Sequence, residues 1–136
     1  MRCNERGPLI CFVQSQNKRR FGGFIHLKYQ KDVGNFVAAN PNPSFIFSLD
    51  DKKQYLSNEI SNSHAYYSNS NYGFTMGDGH DLYIYDNCHI NNSSYSNLSH
   101  SYGKNQGGNN TSLAGSRNFV VDDIEVFEVI YKEWTA

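Results

Sequence analysis

Apolar residues along this chain fall in short runs cut by polar, turn-forming clusters, and within several runs they alternate with a period of two. Leu9, Ile10, Cys11, Phe12 and Val13 form the first run. A polar stretch from Gln14 to Arg20 follows, and then Phe21-Gly22-Gly23-Phe24-Ile25-His26-Leu27-Lys28-Tyr29. This arrangement predicts a β-hairpin. In its second arm Ile25, Leu27 and Tyr29 share one parity, as in a half-buried strand, while Gly22 and Gly23 allow a bend or close packing.

After turn formers through Gly34 and Asn40-Pro41-Asn42-Pro43, the run Ser44-Phe45-Ile46-Phe47-Ser48-Leu49 predicts a central strand. Asp50-Asp51-Lys52-Lys53 marks a hairpin tip, with a further strand starting at Gln54-Tyr55-Leu56 and a weaker one at His64-Ala65-Tyr66-Tyr67. A glycine loop, Gly77-Asp78-Gly79, leads into Asp81-Leu82-Tyr83-Ile84-Tyr85. From Asp86 to Ser116 apolar residues are sparse apart from an island at Tyr95 and Leu98, so mobile loops are expected there. The run from Phe119 to Tyr131 predicts the strongest strand, and its mixed parity after Val126 predicts a bulge or two covered faces. No window keeps a 3.6-residue period, so helices should be few and short.

Composition sharpens this picture. The 136 residues suit one domain, with enough chain to bury a core without metal or disulfide staples. Aromatics make up 15%, with ten Tyr and nine Phe against seven Leu, a balance that favours sheet. Seventeen Asn, fifteen Ser and eleven Gly supply many turns. The net charge of -1 argues against nucleic-acid binding by bulk counterion release. Charge is nonetheless uneven: residues 1–53 carry nine Lys or Arg against four Asp or Glu, and residues 54–136 carry three against nine. The basic early strands are expected to lie across from Asp122, Asp123, Glu125 and Glu128, the alternative being separate docking patches.

The cysteines, Cys3, Cys11 and Cys88, are three and far apart, and the first residues lack the apolar core of a secretory signal. Reduced thiols in an intracellular, cytoplasmic protein are expected. Cys11 reads as a core residue and Cys88 as the thiol that meets solvent. Five Asn-x-Ser/Thr triplets, starting at Asn91, Asn92, Asn97, Asn109 and Asn110, arise readily by chance in such an Asn- and Ser-rich segment. No apolar stretch can span a bilayer.

Candidate chemistry is thin. His80 beside Asp81 suggests an acid/base pair, but neighbours on a strand face opposite ways, and Thr75 has no nucleophile context. His80, Cys88, His89 and His100 lack the spacing that fixes zinc. Asp78, Asp81, Asp86 and Asn87 lack the pattern of a calcium loop. No cofactor and no metal are expected.

Six stretches in one order carry a family likeness: Phe21-Gly22-Gly23-Phe24, Phe45-Ile46-Phe47-Ser48-Leu49, Asn71-Tyr72-Gly73, Gly77-Asp78-Gly79-His80-Asp81-Leu82-Tyr83-Ile84, Leu113-Ala114-Gly115-Ser116 and Ile124-Glu125-Val126-Phe127. Together they resemble the TLDc domain from about Arg2 to about Val129, nearest its Asn-rich protist branch. Asp78 interrupts what is usually a run of glycines, and Phe74 and Met76 stand where Pro and Phe are commoner. The resemblance implies a mainly β fold, a two-sheet antiparallel β-sandwich with few short helices. It also implies that residues 1–136 form a TLDc-like domain lacking the family's N-terminal helix and strand, with an uncovered edge or face.

On function, the resemblance implies an intracellular interaction module without established catalysis, linked to oxidation resistance. A subunit of the vacuolar proton-pumping ATPase is the partner it suggests. Gly77, Gly79, His80 and Asp81 are the partner-binding residues expected, because the family's glycine stretch maps onto them. Two other readings come from the residues themselves: a small-ligand or glycan site using Asn, Asp and Tyr between Tyr66 and Tyr102, and a hydrolase using His80 or His100.

Overall fold

The computed structural model describes residues 8–26, 35–39, 44–58, 62–68, 72–85 and 88–130. The expectations about Cys3, Leu27, Tyr29, the Asn40–Pro43 turn, Asp86 and Asn87 lie outside them. Among the described residues the regular structure is strand, in chain order β1 Leu9–Ser15, β2 Arg20–Ile25, β3 Asn35–Ala39, β4 Phe45–Ser48, β5 Lys53–Leu56, β6 Asn62–Ser68, β7 Tyr72–Met76, β8 Leu82–Tyr85, β9 Ser94–Tyr95, β10 Asn118–Phe119 and β11 Val121–Glu128. They form a five-stranded sheet, β11-β1-β2-β4-β5, and a six-stranded sheet, β10-β9-β8-β7-β6-β3, with every pairing antiparallel. The fold is the mainly β sandwich that the alternation and the family likeness imply. No helix among the described residues is long and apolar enough to cross a membrane.

The hydrophobic pattern explains the layering. β1 buries Leu9, Cys11, Val13 and Ser15 and turns Ile10, Phe12 and Gln14 outward. Facing these, Phe74, Met76, Leu82 and Ile84 of the second sheet bury their side chains in the same core. Phe21 of β2 meets Phe119 of β10 edge to face at 5.1 Å, a contact between sheets. Gly22 lies on the outer face, where a Cβ would stand 1.8 Å from the Cys11 carbonyl oxygen and 2.7 Å from the Phe47 ring. The glycine pair therefore serves close packing.

Three expectations need correction. The bulge in the last strand lies at its start, where the register with β1 shifts between Gln14 and Ser15, and not after Val126. The extra residue, Asp122, reaches Lys18 at 2.8 Å. Beyond Val126 the strand keeps regular pairing with β1, and its parity is mixed because Val126 packs against the core while Phe127 lies on the outer face against Phe12. Secondly, Asn35–Ala39 is a strand that turn-rich flanks concealed.

Thirdly, the polar stretch after Asp86 is stitched into the sandwich. Ser94, Ser96, Leu98, Tyr102, Leu113 and Ala114 are buried. Its Ser and Asn side chains bond backbone groups that would otherwise need a sheet ladder. Cys88 is buried as well, so the expectation that it meets solvent fails.

Charge pairs also sort differently from the sequence balance. Arg19 meets Asp51 at 3.0 Å and Arg20 meets Asp50 at 3.1 Å, both acids of the same basic half. Of these three ion pairs among the described residues, Lys18 with Asp122 joins the two halves of the chain.

Candidate functional site

The turn between β7 and β8 is built by Gly77. Its φ of +90° is accessible to glycine without a Cβ penalty, and its carbonyl accepts the N–H of His80 at 3.1 Å. His80 itself is left-handed, with φ of 53°. A chain reversed so tightly sends two adjacent side chains apart. Asp81 points inward, and His80 leans on the outer face of the six-stranded sheet.

The inward carboxylate is fully buried. Its Oδ2 accepts the N–H of Ser101 at 2.8 Å and of Tyr102 at 3.0 Å. Its Oδ1 lies against Gly77, where a Cβ would approach to 2.2 Å, and has no hydrogen-bond partner. Burial pushes the Asp81 carboxyl up to about 6, against the pull of the two backbone N–H groups and of His100. Further bonds brace the turn from the same loop. Ser101 Oγ accepts the Asp78 N–H at 2.9 Å, Ser96 Oγ donates to the Asp81 carbonyl at 2.9 Å, and Asn97 Nδ2 donates to the Gly79 carbonyl at 2.7 Å.

The outward side is aromatic. The His80 ring lies 5.3 Å from Tyr67, 5.7 Å from Tyr83 and 6.3 Å from Tyr95. Tyr83 and Tyr95, paired across β8 and β9, have ring centres 4.8 Å apart, and the Arg117 guanidinium sits 4.3 Å above the Tyr95 ring. Tyr67, His80 and Tyr95 are half-buried and Arg117 is exposed. Desolvation holds the His80 imidazole below its usual value, with Asp78 pulling the other way.

Of the four residues expected to bind a partner, Gly77 and Asp81 are buried, and only Gly79 and His80 reach the surface. The four form one turn but not one exposed patch. His80 and Asp81 face apart, as adjacent positions suggest, so no acid/base pair is assembled. Thr75 is buried and its hydroxyl donates to the Gly73 carbonyl at 3.3 Å. Among the described residues no three His, Cys, Asp or Glu side chains converge as metal ligands would.

Sequence reasoning missed Ser101 and Arg117 as members of this site; Tyr67 and Tyr95 fall in the Tyr66–Tyr102 span of the small-ligand reading, which did not join them to His80. Alternation in β8 signals the outward Tyr83, whereas nothing local ties Ser101 to Asp81 twenty residues earlier.

Comparison with protein-family models matches the TLDc domain over residues 1–130. The chain belongs to the TLDc domain family. No curated protein matches it. In this TLDc chain the interrupted glycine stretch forms the turn just described. Asp78, the residue that interrupts it, is exposed, and its N–H is held by Ser101.

Proposed function

We propose that this TLDc chain is a non-catalytic protein-interaction module whose contact surface is the His80 turn and the tyrosines beside it. The observation that carries the reading is the half-exposed cluster of Tyr67, His80 and Tyr95 around Tyr83, capped by Arg117. Tyr and Arg dominate the energetics of protein interfaces because they offer large, stiff contact area with a polar tip. The bonds from Ser96, Asn97 and Ser101 hold the turn in place before binding, which lowers the entropy lost on association. In this reading Gly77 and Asp81 shape the turn, while Gly79 and His80 touch the partner.

The partner nominated by the family is a subunit of the vacuolar proton-pumping ATPase, with an intracellular, cytoplasmic location and a link to oxidation resistance. Binding of the purified ATPase to immobilised chain tests this directly. Tyr95→Ala with Arg117→Ala should weaken binding at least about tenfold while the fold persists. A folded double variant that binds like the parent rejects the surface.

A second reading, a glycan or other small ligand, draws on the same stacked tyrosines. It predicts glycan-array signals that vanish in Tyr83→Ala. The hydrolase reading finds no support in the opposed directions of His80 and Asp81.

A further inference from the structure

The outer face of the five-stranded sheet, opposite in the fold to the tyrosine cluster, carries a second surface. Register places Phe127, Ile10, Phe24, Phe45 and Leu56 in one row across all five strands. The next row sets Phe12 and Phe47 on either side of Gly22, and their rings meet at 5.6 Å over it. Phe24 stacks on Phe45 at 5.2 Å, and Phe12 meets Phe127 at 6.0 Å. Phe127 is 50% exposed, Leu56 49% and Leu49 43%. Between Ile10, Phe12, Phe45, Phe47 and Leu49 runs a shallow groove of about 440 Å³. Phe24 and Phe47 are buried under their neighbours, Ile10, Phe12 and Phe45 are half-buried, and Phe127, Leu56 and Leu49 carry most of the exposure. Exposed apolar area gathered on one sheet face marks an interaction site.

Charge on this face is polarised across the strands. Asp123 and Glu125 project from β11 at one edge, flanking a smaller groove beside Phe12. At the other edge Lys52, in the β4–β5 turn, rims the apolar groove. All three are exposed, and none joins a salt bridge among the described residues. The charges sit towards the end of the sheet where β4 turns into β5, and the apolar row lies towards the other.

This pattern is self-complementary under one operation. A two-fold axis running along β2, parallel to the strands, lays a second copy face to face with β11 over the partner's β5. The apolar row then covers itself, and the Asp123 and Glu125 edge faces Lys52 of the other copy. Arg20, near the axis, is already neutralised by Asp50. An axis across the strands would instead bury Asp123 against Phe127, which desolvation opposes. We propose that this phenylalanine face is the interface of a symmetric dimer of this chain, with Lys52 of each copy set against Glu125 of the other. Five strands at about 4.8 Å spacing and roughly four residues of depth at about 3.4 Å each offer about 330 Å² per copy, about two fifths of the usual contribution to a stable interface. The dimer is therefore reversible and concentration-dependent. It uses neither His80 nor its neighbours, so it stands or falls independently of the interaction module proposed above.

Sedimentation equilibrium of the full chain over a wide concentration range tests it. The parent should show monomer and dimer alone. Lys52→Glu and Glu125→Lys each turn two symmetric attractions into repulsions and should each weaken the dimer about tenfold. Combining both in one chain should restore it, and mixing the two single variants should give a heterodimer tighter than either homodimer. Phe127→Ser, at a half-exposed position, should abolish dimerisation with an unchanged melt. A chain that stays monomeric, leaving the face to another partner, overturns the proposal. So do open-ended oligomers, or a dimer indifferent to the charge reversals.

Discussion

The buried carboxylate of Asp81 accepts the backbone N–H of Ser101 at 2.8 Å, fastening the glycine turn to a loop twenty residues further along the chain. The bond is satisfied on one oxygen and not on the other, since Oδ1 is buried without a partner. Burial therefore outweighs the two N–H donors, and the carboxyl titrates at about 6 in place of its ordinary 3.8.

That shift has a defined sign. The folded state binds the Asp81 proton more tightly than the unfolded state, so the contribution is fully present below about pH 4 and is lost as pH rises through about 6. The span amounts to on the order of 3 kcal/mol. Urea unfolding at pH 4 to 7 should show Asp81→Asn losing this slope relative to the parent. His80, whose value is lowered, acts oppositely, favouring the fold as pH rises, and cancels when the two proteins are compared. Identical slopes in parent and variant contradict the assignment.

Gly77→Ala and Gly79→Ala should separate cleanly in the same measurement. At Gly77 a Cβ meets the Asp81 carboxylate at 2.2 Å on a backbone with φ of +90°, and the expected loss is about 2–4 kcal/mol. At Gly79 the backbone is not left-handed and the obstacle is the near end of the exposed His100 side chain, Cγ at 2.6 Å and Cβ at 3.0 Å, which must shift; the loss should be about 1 kcal/mol, smaller than at Gly77. Similar losses would mean the turn is not held by Asp81.

Gly22→Ala should be as damaging as Gly77→Ala for a different reason. A Cβ 1.8 Å from the Cys11 carbonyl oxygen cannot be relieved by a rotamer change, because the obstacle is backbone of the paired strand. A midpoint shift equivalent to about 3 kcal/mol or more in guanidinium unfolding is expected. A near-neutral variant would show that β1 and β2 do not pair in this register.

Thiol chemistry offers a test of the loop after β8. In a Cys3→Ser background, native Cys11 and Cys88 should both resist a thiol reagent and react only as the protein unfolds, since both are buried. Rapid modification of one thiol before unfolding would place Cys88 at the surface and undo the packing of this segment.

Several parts of the fold are legible in the chain because they depend on local alternation. The β1–β2 hairpin, the Phe45–Ser48 strand, the Asp50–Lys53 tip and the strand after the glycine turn all follow from apolar runs bounded by turn formers. The family assignment rests on the order of those same runs. Asn35–Ala39 escaped because it is short and set among turn-forming residues, and its pairing with β6 is a long-range event. The 88–119 segment escaped for a deeper reason: Asn and Ser look alike in sequence whether they face water or bond a buried backbone group.

The strand-rich character, the two-faced runs that become layers, and membership in the TLDc family are all written in spacing along the chain and need no coordinates to be read. Folding in three dimensions makes Asp81 a buried fastener while His80 joins a tyrosine surface, pairs Arg19 and Arg20 with Asp51 and Asp50, and brings Phe12, Phe24, Phe45 and Phe127 onto one outer face. Those outcomes depend on which strands become neighbours and in what register. A one-residue slip would exchange inward and outward side chains while leaving every local pattern unchanged.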